Sequence, residues 1–287
     1  MMKGILFLTA AIGLLVSCQS ATTNTQETQH TAAQEVTPPT GDTLSREDIA
    51  FGVLSDDKKG VIVLPDEENS STTTFTQVYI PGAVAIRKTG HQQESATFNG
   101  RETADNFKDL GGDIYAITSA SNFNLDYALL GTASFAKERK ALAVKEVFAD
   151  ASHQPDLKKY AKSSKTELLT GKLIAVTAQN DSIFLAQLKP VADSVTVLLL
   201  CKEKTSGKIR TYPYTEKYND MSTWSVDDAG EFPMDSYHIL YAFQYKDKLE
   251  LVTLFPGAEG GSFTYFTVDK NDRLKVLKQA YAYWSPL

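Results

Sequence analysis

Residues 237–255, YHILYAFQYKDKLELVTLF, decide the fold. Tyr237–Tyr245 and Leu249–Phe255 are rich in aromatic and branched residues, which suit a pleated, partly buried surface. The polar cluster Lys246-Asp247-Lys248 separates them, so the stretch reads as two strands joined by a tight turn. Working outward, Phe263–Val268 and Leu274–Trp284 continue the pattern, with Lys270-Asn271-Asp272 as their turn. Upstream, Lys172–Ala178, Ser182–Leu188, Ser194–Lys202 and Lys208–Tyr212 alternate with Gln179-Asn180-Asp181 and Thr205-Ser206-Gly207. Earlier still come Gly60–Leu64, Thr73–Ile80, Ala83–Arg87, Asp113–Thr118 and Asp126–Phe135. Short, regularly spaced strands with polar turns indicate a mainly antiparallel, all-β chain, folded as a sandwich or open barrel.

Two segments depart from the strand pattern. Pro155–Lys165 reads as a helix, with Pro155 in its first turn and Leu157, Tyr160 and Ala161 on one face. Ala136–Phe148 fits either a helix, by its Ala, Lys, Glu and Arg content, or a strand, through Leu142, Val144 and Phe148. One or two short helices are therefore expected. A weak echo, Asp181-Ser182 and then Asp235-Ser236, opens similar strand groups and gives a β-propeller-like repeat as the alternative.

The N-terminus has a different character. Met1–Lys3 carries a positive charge, Ile5–Val16 is mostly apolar, and Ser17 precedes Cys18. That order is the order of a secretory signal, and Ile5–Val16 is too short for a membrane span of ~20 residues. A cysteine in place of an ordinary cleavage site resembles the bacterial lipoprotein signal. The resemblance covers residues 1–18 and implies removal of residues 1–17 and acylation of Cys18. It places the protein in the cell envelope, attached to the membrane by acyl chains on Cys18. Gln19 follows the cysteine where such lipoproteins carry Asp for inner-membrane retention, which implies the outer membrane. The first acid is Glu27, which implies the periplasmic side.

Residues 18–45 read as a lipidated, disordered tether. They contain no aromatic residue and are rich in Thr, Gln, Ala and Ser. A flexible coil of that length spans ~30 Å end to end. Residues 46–287 then form a β-rich globular domain, possibly divided into two subdomains. The 42% hydrophobic content fits a packed core, and the net charge of −6 opposes nonspecific binding to nucleic acid. With Cys18 acylated, Cys201 is the one remaining thiol, so no internal disulfide is expected.

The chemistry-bearing residues form no catalytic or metal-binding motif. His91 falls three residues before Glu94 in a stretch that reads as a hairpin loop, and His153 stands alone. His238 reads as a hydrogen-bonded strand histidine on the face opposite Tyr237, Tyr241 and Tyr245. Cys201 shares a strand face with Val195, Val197 and Leu199, the setting of a buried thiol rather than a nucleophile. Gly257–Ser262 lacks a lysine and a following helix, so it reads as a hairpin loop and not a phosphate cradle. Asp227, Asp228 and Glu231, and Asp269, Asn271 and Asp272, lack the alternating spacing of a calcium loop and suit turns. No catalytic residue, metal or cofactor is assigned.

Tyr212, Tyr214 and Trp224 lie in or beside Pro-bearing and polar sequence and are expected to be exposed. Their apolar bodies and polar tips suit a glycan or protein partner. Lys158, Lys159, Lys162 and Lys165 form a solvated face on the expected helix. The expected function is a noncatalytic, lipid-anchored module binding a ligand or an envelope partner. The alternative is an envelope hydrolase acting on glycan or peptide through dispersed carboxylates.

Overall fold

The computed structural model describes residues 44–65, 72–80, 82–119, 125–225 and 227–285. Residues Thr43–Leu287 form one compact unit. The signal segment, Cys18 and nearly all of the tether lie outside the described residues.

The chain opens with six strands: β1 (Ile49–Leu54), β2 (Gly60–Val63), β3 (Gln77–Tyr79), β4 (Ala83–Gln92), β5 (Gly112–Ile117) and β6 (Tyr127–Gly131). They close into a barrel in the order β1-β2-β5-β4-β3-β6. Helix α1 (Ala133–Glu138) follows, then β7 (Lys140–Leu142), β8 (Val144–Asp150) and helix α2 (Pro155–Ser163). The next strands are β9 (Leu168–Thr177), β10 (Ser182–Leu188), β11 (Ser194–Lys202) and β12 (Ile209–Lys217). The last four are β13 (His238–Tyr245), β14 (Lys248–Pro256), β15 (Gly260–Val268) and β16 (Leu274–Tyr283). Two further five-stranded sheets result, β12-β11-β10-β9-β8 and β16-β15-β14-β13-β7, and every pairing is antiparallel.

The protein is therefore all-β, with a closed barrel and a sandwich in place of propeller blades. Asp181-Ser182 and Asp235-Ser236 each precede a meander, β10-β11-β12 and β13-β14-β15, which accounts for the echo without a repeat architecture.

Four layers can be traced from the side chains. Ala50, Leu54, Val61, Val78, Tyr115 and Leu130 fill the barrel. The alternate residues of β1, Ile49, Phe51 and Val53, face outward onto Tyr241, Phe243, Val252 and Tyr265. All six residues of β1 are consequently buried. Gly52 belongs to the narrow interior, where an added Cβ would come within 2.7 Å of the Ile62 carbonyl. The other face of the β13–β16 sheet carries Ile239, Ala242, Leu249, Leu251 and Phe266, packed against Ile183, Leu185, Val197 and Leu199. Beyond that sheet, Phe184, Ala186, Leu198 and Leu200 meet Leu157 and Ala161 of α2. The strands over residues 182–202 and 238–268 read as near-continuous apolar runs because both of their faces are covered.

Helix α2 starts with Pro155 and turns Leu157 and Ala161 inward, with Lys158, Lys159 and Lys162 exposed and Lys165 just past its end. The strand expected over Asp126–Phe135 is shorter than its sequence indicates. It stops at Gly131, where an added Cβ would come within 2.7 Å of the Phe135 ring. Thr132 then accepts the Phe135 N–H and starts α1. The ambiguous run 136–148 is divided among the end of α1, β7 and the first part of β8.

Candidate functional site

Tyr212, Tyr214 and Trp224 are half-buried, not exposed. Tyr212 lies 4.9 Å from the Phe266 ring, and the Tyr214 hydroxyl is 2.7 Å from that of Tyr237. Trp224 packs edge-on against Phe232 at 5.1 Å. The three side chains cover one border of the sandwich core. The strand alternation of β12 explains this placement, since Tyr212 and Tyr214 share the inward face while Pro213 points out.

The loop carrying Trp224 is organised by Asp228. Its carboxylate accepts the N–H groups of Thr223, Trp224, Ser225 and Gly230. Partial burial raises its pKa, but those four donors outweigh burial and hold it below the ordinary 3.8. A depressed carboxylate stabilises the fold fully above its ordinary value, and that contribution disappears as pH falls through its folded value. With Trp284→Phe leaving Trp224 as the one tryptophan, its emission should stay constant above pH 4 and shift red below 3.8. Asp228→Asn should show the red shift already at pH 7.

The acidic clusters act as turn anchors. Asp269 accepts the N–H groups of Asn271 and Arg273. Asp272 pairs with Lys208 and Arg210. Among the described residues, no three His, Cys, Asp or Glu side chains form a group able to hold a metal. Cys201 is buried in the sandwich core, and burial pushes its thiol well above the usual range. Gly257-Ala258-Glu259 forms the hairpin between β14 and β15. His91 stands in β4 rather than in a loop. A bulge between Lys88 and Gly90 carries the strand past the glycine, and Asp113 binds both Lys88 and His91.

A further candidate site lies elsewhere. A cleft of about 750 Å³ lies between the Gly82 and Leu125 ends of the barrel and the β7–β8 border of the sandwich. Its walls are Ala141–Val144, Ile239, Leu240 and Leu254. Among the described lining residues, the polar side chains are Glu146 and His238. His238 Nδ1 lies 2.7 Å from Glu146 Oε1, and both side chains are partly exposed, at 35% and 40%. Because a carboxylate only accepts, the ring donates from Nδ1. Nε2 is then an acceptor when the ring is neutral and a donor when it is protonated.

Two irregularities build this pair. β13 is bulged between Ile239 and Tyr241, and β8 between Glu146 and Ala149. Phe148, inside the second bulge, has φ of +50°, a conformation that costs a bulky residue about 1–3 kcal/mol. Its ring meets that of His238 edge-on at 6.0 Å. The strand reading of His238 anticipates a hydrogen-bonded side chain, but its partner lies 92 residues away and left no local signal.

Among the described lining residues there is no Ser, Thr, Cys, Lys or Arg. The arrangement supplies an apolar surface with one hydrogen-bonding corner. Comparison with protein-family models, with curated proteins and with solved structures found no match for this chain.

Proposed function

We propose that this chain is a lipid-anchored protein of the bacterial cell envelope, attached through acyl chains on Cys18, whose β-rich domain binds a ligand or envelope partner without catalysis. The outer membrane, on its periplasmic side, is the proposed location. The observation that carries the binding reading is the cleft itself: its volume suits a small ligand, its walls are apolar, and its polar groups are confined to one corner. The hydrolase alternative needs more from the site. A glycosidase uses two carboxylates about 5–9.5 Å apart, whereas among the described lining residues Glu146 is the one carboxylate, and it is bonded to His238.

Ala143 is an exposed residue of the cleft wall, so enlarging it fills the cleft without disturbing the core. The neutral fluorophore N-phenyl-1-naphthylamine should bind the native protein, and Ala143→Trp should weaken that binding at least about tenfold with an unchanged melting temperature. Equal binding by both proteins would remove the cleft as the site.

A further inference from the structure

Among the described residues, the cleft coincides with an unpaired stretch of strand edge. β14 pairs with β13 from His238 to Tyr245, interrupted at the Leu240 bulge. On the other side, β7 pairs with β13 at Ala242, Phe243 and Gln244 only. Past Leu142 the chain leaves for the neighbouring sheet, where Val144 pairs with Thr177. His238 and Ile239 pair with β14 on one side and, among the described residues, with no strand on the other; they line the cleft together with Leu240, the residue of the β13 bulge. The facing wall, Ala141–Val144, is itself extended chain. A strand edge presents N–H and C=O groups that call for partners, and it does so here inside an apolar groove.

We infer that the cleft takes an extended peptide segment, apolar and carrying a basic side chain, which adds a short strand to the open edge of β13. This inference rests on the cleft being the ligand site and names the class of ligand. Three residues of edge at ~3.4 Å each span ~10 Å, and because successive residues turn their N–H and C=O to opposite sides, one or two of them face an added strand. Main-chain hydrogen bonds then supply affinity, and the apolar walls select the alternate side chains. The basic preference follows from Glu146. One of its oxygens binds His238, and its carboxylate supplies the negative charge at the cleft. The chain's net charge of −6 favours the approach of the same kind of segment.

The test uses the compact unit Thr43–Leu287 and a fluorescein-labelled hexapeptide, acetyl-Thr-Val-Thr-Val-Lys-Val-amide, followed by anisotropy. Two comparison peptides carry proline at alternate positions, or glutamate in place of lysine. Proline removes the N–H groups that an added strand donates. Binding of the parent peptide should fall at least about tenfold with the proline peptide and with Ala143→Trp. It should fall severalfold with the glutamate peptide and with Glu146→Gln.

Equal binding of the proline and parent peptides would overturn strand addition. If N-phenyl-1-naphthylamine binds the native unit and not Ala143→Trp, yet no peptide displaces it, the peptide inference fails while the cleft stands as a ligand site. If neither probe binds, both readings fail.

Discussion

Glu250→Leu is expected to destabilise the compact unit by about 3–5 kcal/mol, because it strands a buried positive charge. Glu250 is fully buried on β14. It accepts from Arg139 Nε at 2.7 Å, from the Tyr265 hydroxyl at 2.7 Å and from Thr267 Oγ1 at 2.6 Å. Burial pushes the Tyr265 phenol far above its usual range, so it stays protonated and donates. The Arg139 guanidinium in turn lies over the Tyr245 ring at 4.2 Å and is 5% exposed. This network ties the end of α1 to β14 and β15, where the barrel-facing core begins.

Removing the carboxylate leaves Arg139 among aromatic rings with only the longer contact, 3.5 Å, to the exposed Glu138 carboxylate. Arg139→Met with Glu250→Leu removes both charges and should recover part of the loss, the remainder coming from the Tyr265 and Thr267 hydroxyls left without their acceptor. Urea unfolding of the native, single and double variants measures both quantities. A single variant within 1 kcal/mol of native would show that the pair contributes little.

The second large effect concerns attachment. Cys18→Ala is expected to abolish palmitate labelling of the protein. When the variant is exported on an ordinary cleavable signal, the folded unit should move from the membrane to the soluble fraction. Two or more acyl chains give stable anchoring where a single chain is marginal, so their loss converts retention into release. Fractionation with radiolabelled palmitate reads both outcomes, and membrane retention without label would contradict acylation as the anchor.

Many strands were legible from local pattern, although β1, Ile49–Leu54, was not among them. Tyr237–Tyr245 is rich in aromatic and branched residues, the Lys246-Asp247-Lys248 turn interrupts it, and β13 and β14 lie on either side. The bulge after Ile239 puts Tyr237 and Tyr241 in different core layers, not on the one face expected. Pro155 and the spacing of Leu157 and Ala161 likewise disclosed α2. What the pattern could not convey was long-range pairing. Barrel closure joins Ile49–Val53 to Tyr127–Gly131, and nothing local marks that return. Nor did the apolar runs distinguish a sheet covered on both faces from an ordinary sandwich sheet. The short α1 was masked by Phe135, a good strand residue that serves here as a buried anchor between Tyr79 and Phe243.

The candidate site was hidden for related reasons. Ala141, Ala143 and Val144 are unremarkable as sequence, and the cleft arises only because the chain changes sheets between β7 and β8. Glu146 and His238 meet through bulges that strand alternation does not register. The aromatic cluster was visible, but hydropathy alone did not tell a core border from an exposed platform. Tyr214 illustrates the point: its hydroxyl, which suggested a wet surface, is bonded to buried Tyr237.

The central claim is that the ligand site is the cleft between barrel and sandwich. It is tested most directly by a methyl-labelled leucine spectrum of Thr43–Leu287 titrated with N-phenyl-1-naphthylamine. The cleft predicts shifts at Leu125, Leu240 and Leu254, which belong to it, with Leu185 and Leu199 in the sandwich core unchanged. Shifts confined to the border beside Tyr212, Tyr214 and Trp224, with Leu240 and Leu254 unmoved, would contradict it.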